Sequence, residues 1–355
     1  MYRSRTIERV TATQKIEEIP HRITVSTPTH LADNVTDISA GWWFTMFLKK
    51  DGSLWTTGCN TYGQLGDGTN TDSTTPIRIA SDVKEIAAGG EHSMFLKKDG
   101  SLWATGRNNK GQLGDKTTND STTPVNVSGH VTDIVAGRKH SMFLSDDETL
   151  WGIGNNEYGQ LGEGTNTDSH YPIGIAGYVT DVDAGNNHSM FLDTDYTLWA
   201  MGRNKYGQLG DGTNTDSTTP IRIAADVKEI AAGGNHSMFI KNDDTLWVMG
   251  CNVYSQFGNG TTTDSATPMR ISDNVKTIAA GCFHSMFIKN DDTLWVMGWN
   301  CNSALGDRTT SRPVQIANDV AKISAGCTHS VFLKKDGSLW TMGSNGFGQR
   351  GYSNT

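Results

Sequence analysis

The chain has 355 residues, with 30 Lys and Arg against 38 Asp and Glu and a formal net charge of −8. General attraction to nucleic acid or to an anionic membrane is therefore unfavourable. Forty glycines beside only eight prolines indicate a turn-rich β protein and not a disordered one. No apolar run approaches 18 residues, which excludes a membrane-spanning helix.

The compartment and the redox chemistry follow from the N-terminus and the cysteines. Residues 1–20 are polar and lack the apolar segment of a signal peptide. The five cysteines include no CxxC pair, so neither a disulfide framework nor a zinc site is predicted. We expect a cytoplasmic protein, or a secreted one if a signal peptide has been removed, with no cofactor and no bound metal.

Residues 1–26 are an N-terminal extension without an assigned structure, and a repeat occupies residues 27–355. Leu-Trp pairs recur with five spacings of 48 residues and a last one of 45, at Trp55, Trp103, Trp151, Trp199, Trp247, Trp295 and Trp340. Prolines recur in step with them at Pro28, Pro76, Pro124, Pro172, Pro220, Pro268 and Pro313. The shorter last spacing places a three-residue deletion between Gly306 and Pro313. A fixed period of this length indicates a repeat architecture.

One repeat, residues 76–123, divides into four short strands. A proline-opened run, residues 76–79, suits an outer strand that lacks one ladder donor. Residues 83–88 form an inner strand, and the compact apolar run 92–96 forms the next one. An Asp-Gly turn then leads into a return strand at residues 101–106. Four strands per repeat predict an all-β, seven-bladed β-propeller.

The order of the strands also predicts how the ring closes. An outer strand near residues 27–31 precedes the first complete blade, whereas the last repeat ends without one. The last blade should therefore combine residues 27–31 with residues 320–344, which removes the open edges of the sheet array.

The repeat resembles that of the regulator of chromosome condensation family. The resemblance rests on Ala88-Gly89-x-x-His92-Ser93, then Asp99-Gly100-Ser101-Leu102-Trp103, then Gly106-x-Asn108-x-x-Gly111-Gln112-Leu113-Gly114. It recurs seven times over about residues 27–355, and it implies a seven-bladed propeller. The uniform period and the Thr/Asn-rich loops favour a bacterial- or archaeal-type member.

Three recurring features are assigned to the framework. The repeat tryptophans should pack in the core. The histidines that recur at one position should be hydrogen-bonded at strand ends, since no acidic residue recurs with them to complete a triad. These are His92, His140, His188, His236, His284 and His329. Loops such as residues 66–72 lack the 1-3-5 ligand spacing of a calcium loop, so turn formation explains their Asp and Asn content.

Two positions vary between repeats while their surroundings stay constant. The first is the dipeptide between the inner and second strands, and the second follows the third strand. Up-and-down strand order places both on one face of the ring. The predicted partner-binding residues on that face are Trp42, Trp43, Glu91, Arg107, Arg138, Lys139, Arg203, Phe283 and Trp299. The aromatic ones fall in adjacent repeats and the basic ones in the next repeats, a composition typical of protein-binding surfaces.

These patterns predict a non-enzymatic, monomeric scaffold that binds a protein partner and does not bind nucleic acid or membrane. Two alternatives stay open. Guanine-nucleotide exchange on a small GTPase is implied by the resemblance, although no repeat carries an insertion here. Carbohydrate binding would use the exposed tryptophans. Neutral variation of the loops, with Trp42 and Trp43 filling the central channel, would explain the same residues without a function.

Overall fold

The computed structural model describes residues 28–300 and 310–353, which form 28 strands in seven four-stranded antiparallel sheets. Each sheet is one blade, so the predicted architecture is confirmed. The deletion expected between Gly306 and Pro313 lies largely outside the described residues, as does the N-terminal extension.

The strands of blades one to four are as follows. Blade one is β2 (Val35–Ala40), β3 (Phe44–Lys49), β4 (Leu54–Gly58) and β5 (Ser73–Ala80). Blade two is β6 (Val83–Ala88), β7 (His92–Lys97), β8 (Leu102–Gly106) and β9 (Ser121–Ser128). Blade three is β10 (Val131–Ala136), β11 (His140–Ser145), β12 (Leu150–Gly154) and β13 (Ser169–Ala176). Blade four is β14 (Val179–Ala184), β15 (His188–Asp193), β16 (Leu198–Gly202) and β17 (Ser217–Ala224).

The remaining blades complete the ring. Blade five is β18 (Val227–Ala232), β19 (His236–Lys241), β20 (Leu246–Gly250) and β21 (Ser265–Ser272). Blade six is β22 (Val275–Ala280), β23 (His284–Lys289), β24 (Leu294–Gly298) and β25 (Thr310–Ala317). Blade seven is β26 (Val320–Ala325), β27 (His329–Lys334) and β28 (Leu339–Gly343), completed by β1 (Thr29–Ala32).

Blade seven is closed by the N-terminal strand, as predicted. Thr29 of β1 pairs with Thr341 of β28. Arg350 also holds the two chain ends together, since its guanidinium donates to the Thr29 hydroxyl at 2.6 Å. This buried arginine stands where the equivalent loop of blade one has Leu65. The other repeats carry leucine here, or phenylalanine at Phe257, so they gave no indication that Arg350 joins the chain ends.

Within the described residues the hydrophobic core forms seven clusters, each shared by two neighbouring blades. Between blades seven and one, for example, Phe47 packs with Val331 and Leu339. The repeat tryptophan Trp55 is half-buried against this cluster, stacked on Phe47 with an interplanar angle of 8°. The repeat tryptophans thus belong to the framework although they are only half-buried, and their indole N–H groups donate to nearby side chains.

The outer strands of blades one to six begin earlier than expected. β5 starts at Ser73, so Pro76 is its fourth residue and does not open it. A register irregularity between Thr56 and Gly58 of β4 lies opposite this part of β5. An outermost strand tolerates proline inside it because one side of its backbone has no ladder partner.

The repeat histidines form a belt of hydrogen bonds from blade to blade. His188 of blade four is fully buried, and its Nε2 lies 2.8 Å from the Ser237 hydroxyl of blade five. That hydroxyl donates to the carbonyl of Gln208, so the imidazole must be the donor to Ser237. Burial lowers the pKa of His188 to about 4. Neutral imidazoles therefore join the blades, and the prediction of a hydrogen-bonded strand-end histidine is confirmed.

Candidate partner-binding face

The two variable positions of each blade are held together by a backbone hydrogen bond. In blade two the N–H of Arg107 donates to the carbonyl of Glu91 at 2.9 Å, and in blade six Trp299 donates to Phe283 at 3.0 Å. The glycine that ends the third strand permits this contact, because a Cβ on Gly106 would lie 2.7 Å from the Glu91 carbonyl. The structure thus places both variable positions on one face, as the strand order predicts.

In several blades a third residue, from the preceding blade, joins such a pair. The loop after the third strand of blade one brings Tyr62 under Arg107 of blade two, with the guanidinium carbon 4.4 Å from the ring centroid. In the same way Tyr158 lies under Arg203 at 4.5 Å. The sequence interpretation missed these tyrosines. The sequence did contain a signal for them, since the residue directly before Gly-Gln in this loop also varies between repeats.

The most apolar of these groups lies where blades five and six meet. Trp299 stacks on Tyr254 with ring centroids 4.9 Å apart, and Phe283 meets both rings edge-on at 5.2–5.3 Å. Tyr254 is 39% exposed and the adjacent Val253 is 53% exposed. We call Val253, Tyr254, Phe283 and Trp299 the Trp299 cluster. It presents an aromatic surface at the rim.

A second aromatic group lies at the junction of blades seven and one. Trp42 and Trp43 meet edge-on with ring centroids 5.4 Å apart, and Trp43 also contacts Phe347 at 6.0 Å. Phe347 is 40% exposed, and both tryptophans are half-buried. We call these three residues the Trp43 cluster.

Trp42 lies at the mouth of the central channel. It lines a cavity there together with Arg138, whose guanidinium carbon is 4.6 Å from the Trp42 ring centroid. Arg138 comes from blade three and Trp42 from blade one, so the two side chains meet over the channel. The basic and aromatic residues are therefore not fully separate groups, contrary to the arrangement expected from ring order. Since Trp42 keeps contact with solvent, it covers the channel without being sealed inside it.

The remaining basic residues differ in how freely they present charge. Arg107 forms an ion pair with Glu91, which offsets its charge. Arg203 stacks on Tyr158 and is half-buried. Desolvation and the nearby Arg107 and Arg138 lower the pKa of Lys139. Arg107 and Arg138 therefore lie close enough to Lys139 to disfavour its charged form, in addition to the effect of burial.

Carboxyl groups of the inner strands lie close together, and Asp183 among them lines the channel cavity. Burial, with repulsion from Asp133 and Asp183, raises the pKa of Asp181 to about 8. Burial and a hydrogen bond with Asp133 raise the pKa of Glu85 to about 9. Their oxygens accept inner-strand backbone N–H groups, as Glu85 does from Ile134 of the next blade. These side chains therefore accept hydrogen bonds from backbone N–H groups on the inner edge of each sheet, where the described part of the chain has no further strand to accept them.

The polar loops outside the rim use their side chains for turns. The side-chain amide of Asn60 donates to Asp67 at 3.0 Å, and the backbone N–H of Asn60 donates to Asp72 at 2.7 Å. In residues 28–300 and 310–353 no group of three or more His, Cys, Asp or Glu side chains could hold a metal ion. Over the same ranges no helix is long and apolar enough to cross a membrane.

Comparison with known proteins agrees with this architecture. The sequence profile of the RCC1-like domain matches residues 4–275. The chain belongs to the RCC1-like family. A profile of the regulator of chromosome condensation (RCC1) repeat also matches residues 320–349 of this RCC1-like chain. No curated protein matches it in sequence.

Solved structures similar to this RCC1-like protein share its fold. Human WBSCR16 is 21% identical, with a TM-score of 0.78 over 90% of this chain and 89% of its own. Prp20p from Saccharomyces cerevisiae, described with its binding to Gsp1p and histones, is 23% identical, with a TM-score of 0.75 over 89% and 84%. The complex of Kap60 with yeast RCC1 (Prp20) gives 22% identity and a TM-score of 0.74 over 89% and 82%.

Proposed function

We propose that this RCC1-like protein is a non-enzymatic scaffold that binds a protein partner through the face carrying the Trp299 and Trp43 clusters. The observation that carries the proposal is the Trp299 cluster. Three large rings from two blades converge there, and Tyr254 and Val253 remain substantially exposed. Aromatic residues that are grouped and accessible are the usual anchors of protein interfaces.

The rigidity of the face favours binding. Backbone hydrogen bonds fix the variable positions in each blade, so little conformational entropy remains to be lost when a partner docks. The partner should be acidic where it meets Arg138, Lys139 and Arg203, because complementary charge accelerates encounter and selects orientation.

The proposal is tested by capture from cells of the source organism. A chain with Phe283→Ala and Trp299→Ala is compared with wild type and with a matched control, Lys98→Ala and Lys335→Ala, on the opposite hairpin face. A protein retained by wild type and by the control, but lost from the aromatic variant, supports the proposal. Equal capture by all three, or selective binding of glycans on an array in place of protein, contradicts it.

Nucleotide exchange on a small GTPase is the second candidate. The similarity in fold to Prp20p, whose binding to Gsp1p is described with its structure, favours this activity. The assay is release of a fluorescent guanine nucleotide from purified small GTPases in the presence of this chain. Acceleration that is lost in the Phe283→Ala and Trp299→Ala chain would make exchange the function of the same face.

A further inference from the structure

Two cysteines occupy the same repeat position in neighbouring blades. Cys282 is the first residue of the variable dipeptide in blade six, and Cys327 is its counterpart in blade seven. Cys282 is 6% exposed, whereas Cys327 is half-buried. The other described cysteines, Cys59 and Cys251, share a different repeat position in blades one and five, which are not neighbours.

The register between blades brings this position close to its counterpart in the next blade. The N–H of Cys282 donates to the carbonyl of Gly326 at 3.3 Å, directly beside Cys327. In the other blades a Cβ on Gly234 would lie 2.9 Å from the Cα of Cys282, and one on Gly90 would lie 3.2 Å from the Cα of Arg138. A disulfide needs Cβ atoms about 3.5–4.5 Å apart, which only neighbouring backbones can provide. The hydrogen bond from Cys282 to Gly326 places Cys282 and Cys327 on neighbouring backbones of this kind.

The two thiols also influence each other. Burial, together with the neighbouring Cys327 thiol, raises the pKa of Cys282 well above its usual value. The Cys282 thiol is therefore protonated, and Cys327 is the more accessible member of the pair.

We propose that Cys282 and Cys327 are an oxidisable dithiol, which a low-molecular-weight disulfide converts into an intramolecular disulfide linking blades six and seven. Because Cys327 is the accessible member, its thiolate attacks the external disulfide first and releases one thiolate, leaving a mixed disulfide on Cys327. The Cys282 sulfur then loses its proton, bonds to the Cys327 sulfur and displaces the second thiolate. Two protein thiols are oxidised, and one external disulfide is reduced to two thiols.

The position of this cysteine pair means that a disulfide would affect both the partner-binding face and the closure of the ring. Cys282 lines the cavity at the channel mouth together with Trp42 and Arg138. Blade seven is also the blade closed by β1, so a covalent link from it to blade six reinforces the part of the ring where the chain ends meet. Oxidation should make the ring harder to unfold.

The experiment treats the folded full-length chain with glutathione disulfide, blocks the remaining thiols and maps the peptides by mass spectrometry. We expect a 282–327 crosslink with loss of two hydrogens, reversed by dithiothreitol, and a melting temperature a few degrees higher for the oxidised chain. Cys282→Ser should stop the reaction at a glutathione adduct on Cys327. Cys59→Ser with Cys251→Ser is the matched control and should leave the crosslink intact.

Specific results overturn the proposal. A wild-type chain that keeps its glutathione adduct on Cys327, that does not react at all, or that crosslinks through Cys301 has no such dithiol. Serine substitutions should not prevent folding, because other blades carry Gly90 and Asn186 at this position. A Cys301→Ser chain that still forms the 282–327 crosslink supports the assignment.

Discussion

The Nε2 atom of His329 in blade seven lies 2.9 Å from the hydroxyl of Thr45 in blade one, although 284 residues separate them. Thr45 also donates to the carbonyl of Gln349 at 2.7 Å. The belt of side-chain hydrogen bonds therefore continues across the junction of the chain ends. Between blades one and two the belt is interrupted, because Phe44 stands where the other blades have histidine.

Removal of β1 should open the ring. Deleting residues 1–32 leaves the outer edge of β28 unpaired, although β27 still pairs with its inner edge, and removes the Thr29 hydroxyl that Arg350 contacts. We expect a loss of about 3 kcal/mol or more in the free energy of unfolding, since several hydrogen bonds and the Leu31 packing disappear together. Urea denaturation measures it. Deleting residues 1–20 is the control, and equal tolerance of both truncations contradicts the closure.

The belt histidines should make the protein sensitive to acid. Their pKa values are lowered by burial, to about 4 for His188 and about 3 for His140. Because an unfolded histidine takes up a proton below about pH 6.5 and the folded one does not, stability falls as the pH drops through that value. At pH 5.5 each such histidine should cost about 1 kcal/mol relative to pH 7.5.

Blade one supplies a natural substitution with which to test this. His188→Phe copies Phe44 and should cost about 1 kcal/mol at pH 7.5, where the bond to Ser237 is lost. At pH 5.5 the variant should equal wild type or exceed it, since it no longer carries one protonation penalty. Urea unfolding at both pH values gives the comparison. A variant whose disadvantage stays constant would mean that His188 is not held neutral.

The buried carboxyl groups of the inner strands should give stability the opposite pH dependence from that of the belt histidines. The pKa of Asp181 is raised to about 8, so the folded state keeps a proton that the unfolded state has lost above about pH 4. Stability therefore falls as the pH rises from about 4 towards 8. Asp181→Asn should gain about 1–2 kcal/mol over wild type between pH 6 and pH 8, because it does not ionise. Thermal melts of wild type and Asp181→Asn at pH 6 and pH 8 test this difference in stability.

The aromatic anchors should separate binding from stability. Phe283→Ala with Trp299→Ala removes rings at the rim, outside the hydrophobic core clusters, so the free energy of unfolding should change by about 1 kcal/mol or less per residue. Partner affinity should fall by about 2 kcal/mol or more. Trp199→Ala is the contrasting variant, because Trp199 packs against an interblade core; it should cost about 3 kcal/mol of stability. Large stability losses from the rim variant would assign it a packing role.

Charge reversal should change the rate of association. Arg203→Glu places an acid on the rim without breaking an ion pair, whereas Arg107→Glu would also leave Glu91 without its partner. The Arg203→Glu chain should associate more slowly with an acidic partner, and its rate should depend less on salt. Stopped-flow measurement over a salt series tests this. An unchanged rate would indicate that Arg203 lies outside the contact area.

The propeller could be predicted from the sequence because each blade repeats the same local pattern. Spacing of Trp and Pro gave the blade count, and the unpaired outer strand gave the closure. The grouping of the site residues was predicted only in part. Phe283 and Trp299 lie in one blade, so strand order brings them together. Tyr254 comes from the neighbouring blade, and no spacing within a repeat reveals which side chains meet between blades.

The sequence also did not predict contacts that depend on the length of individual side chains. Arg138 and Trp42 lie two blades apart in ring order, yet both extend over the narrow channel mouth and meet. Glu91 was seen as an opposing charge, but its pairing with Arg107 reduces the positive character assigned to that residue. Such contacts depend on the direction and length of individual side chains, which the period of the repeat does not contain.

The pairing of Thr29 with Thr341 imposes an order on biosynthesis. The ribosome makes β1 first, but its partner β28 follows some 310 residues later. At translation rates of about 5–20 residues per second, β1 waits for roughly 15–60 s before it can pair. Blades one to six can meanwhile assemble in turn as each is completed. Until the final blade emerges, the nascent chain is an open arc with an unsatisfied strand at each end, and this is the interval in which chaperone contact or mispairing with another nascent chain matters most.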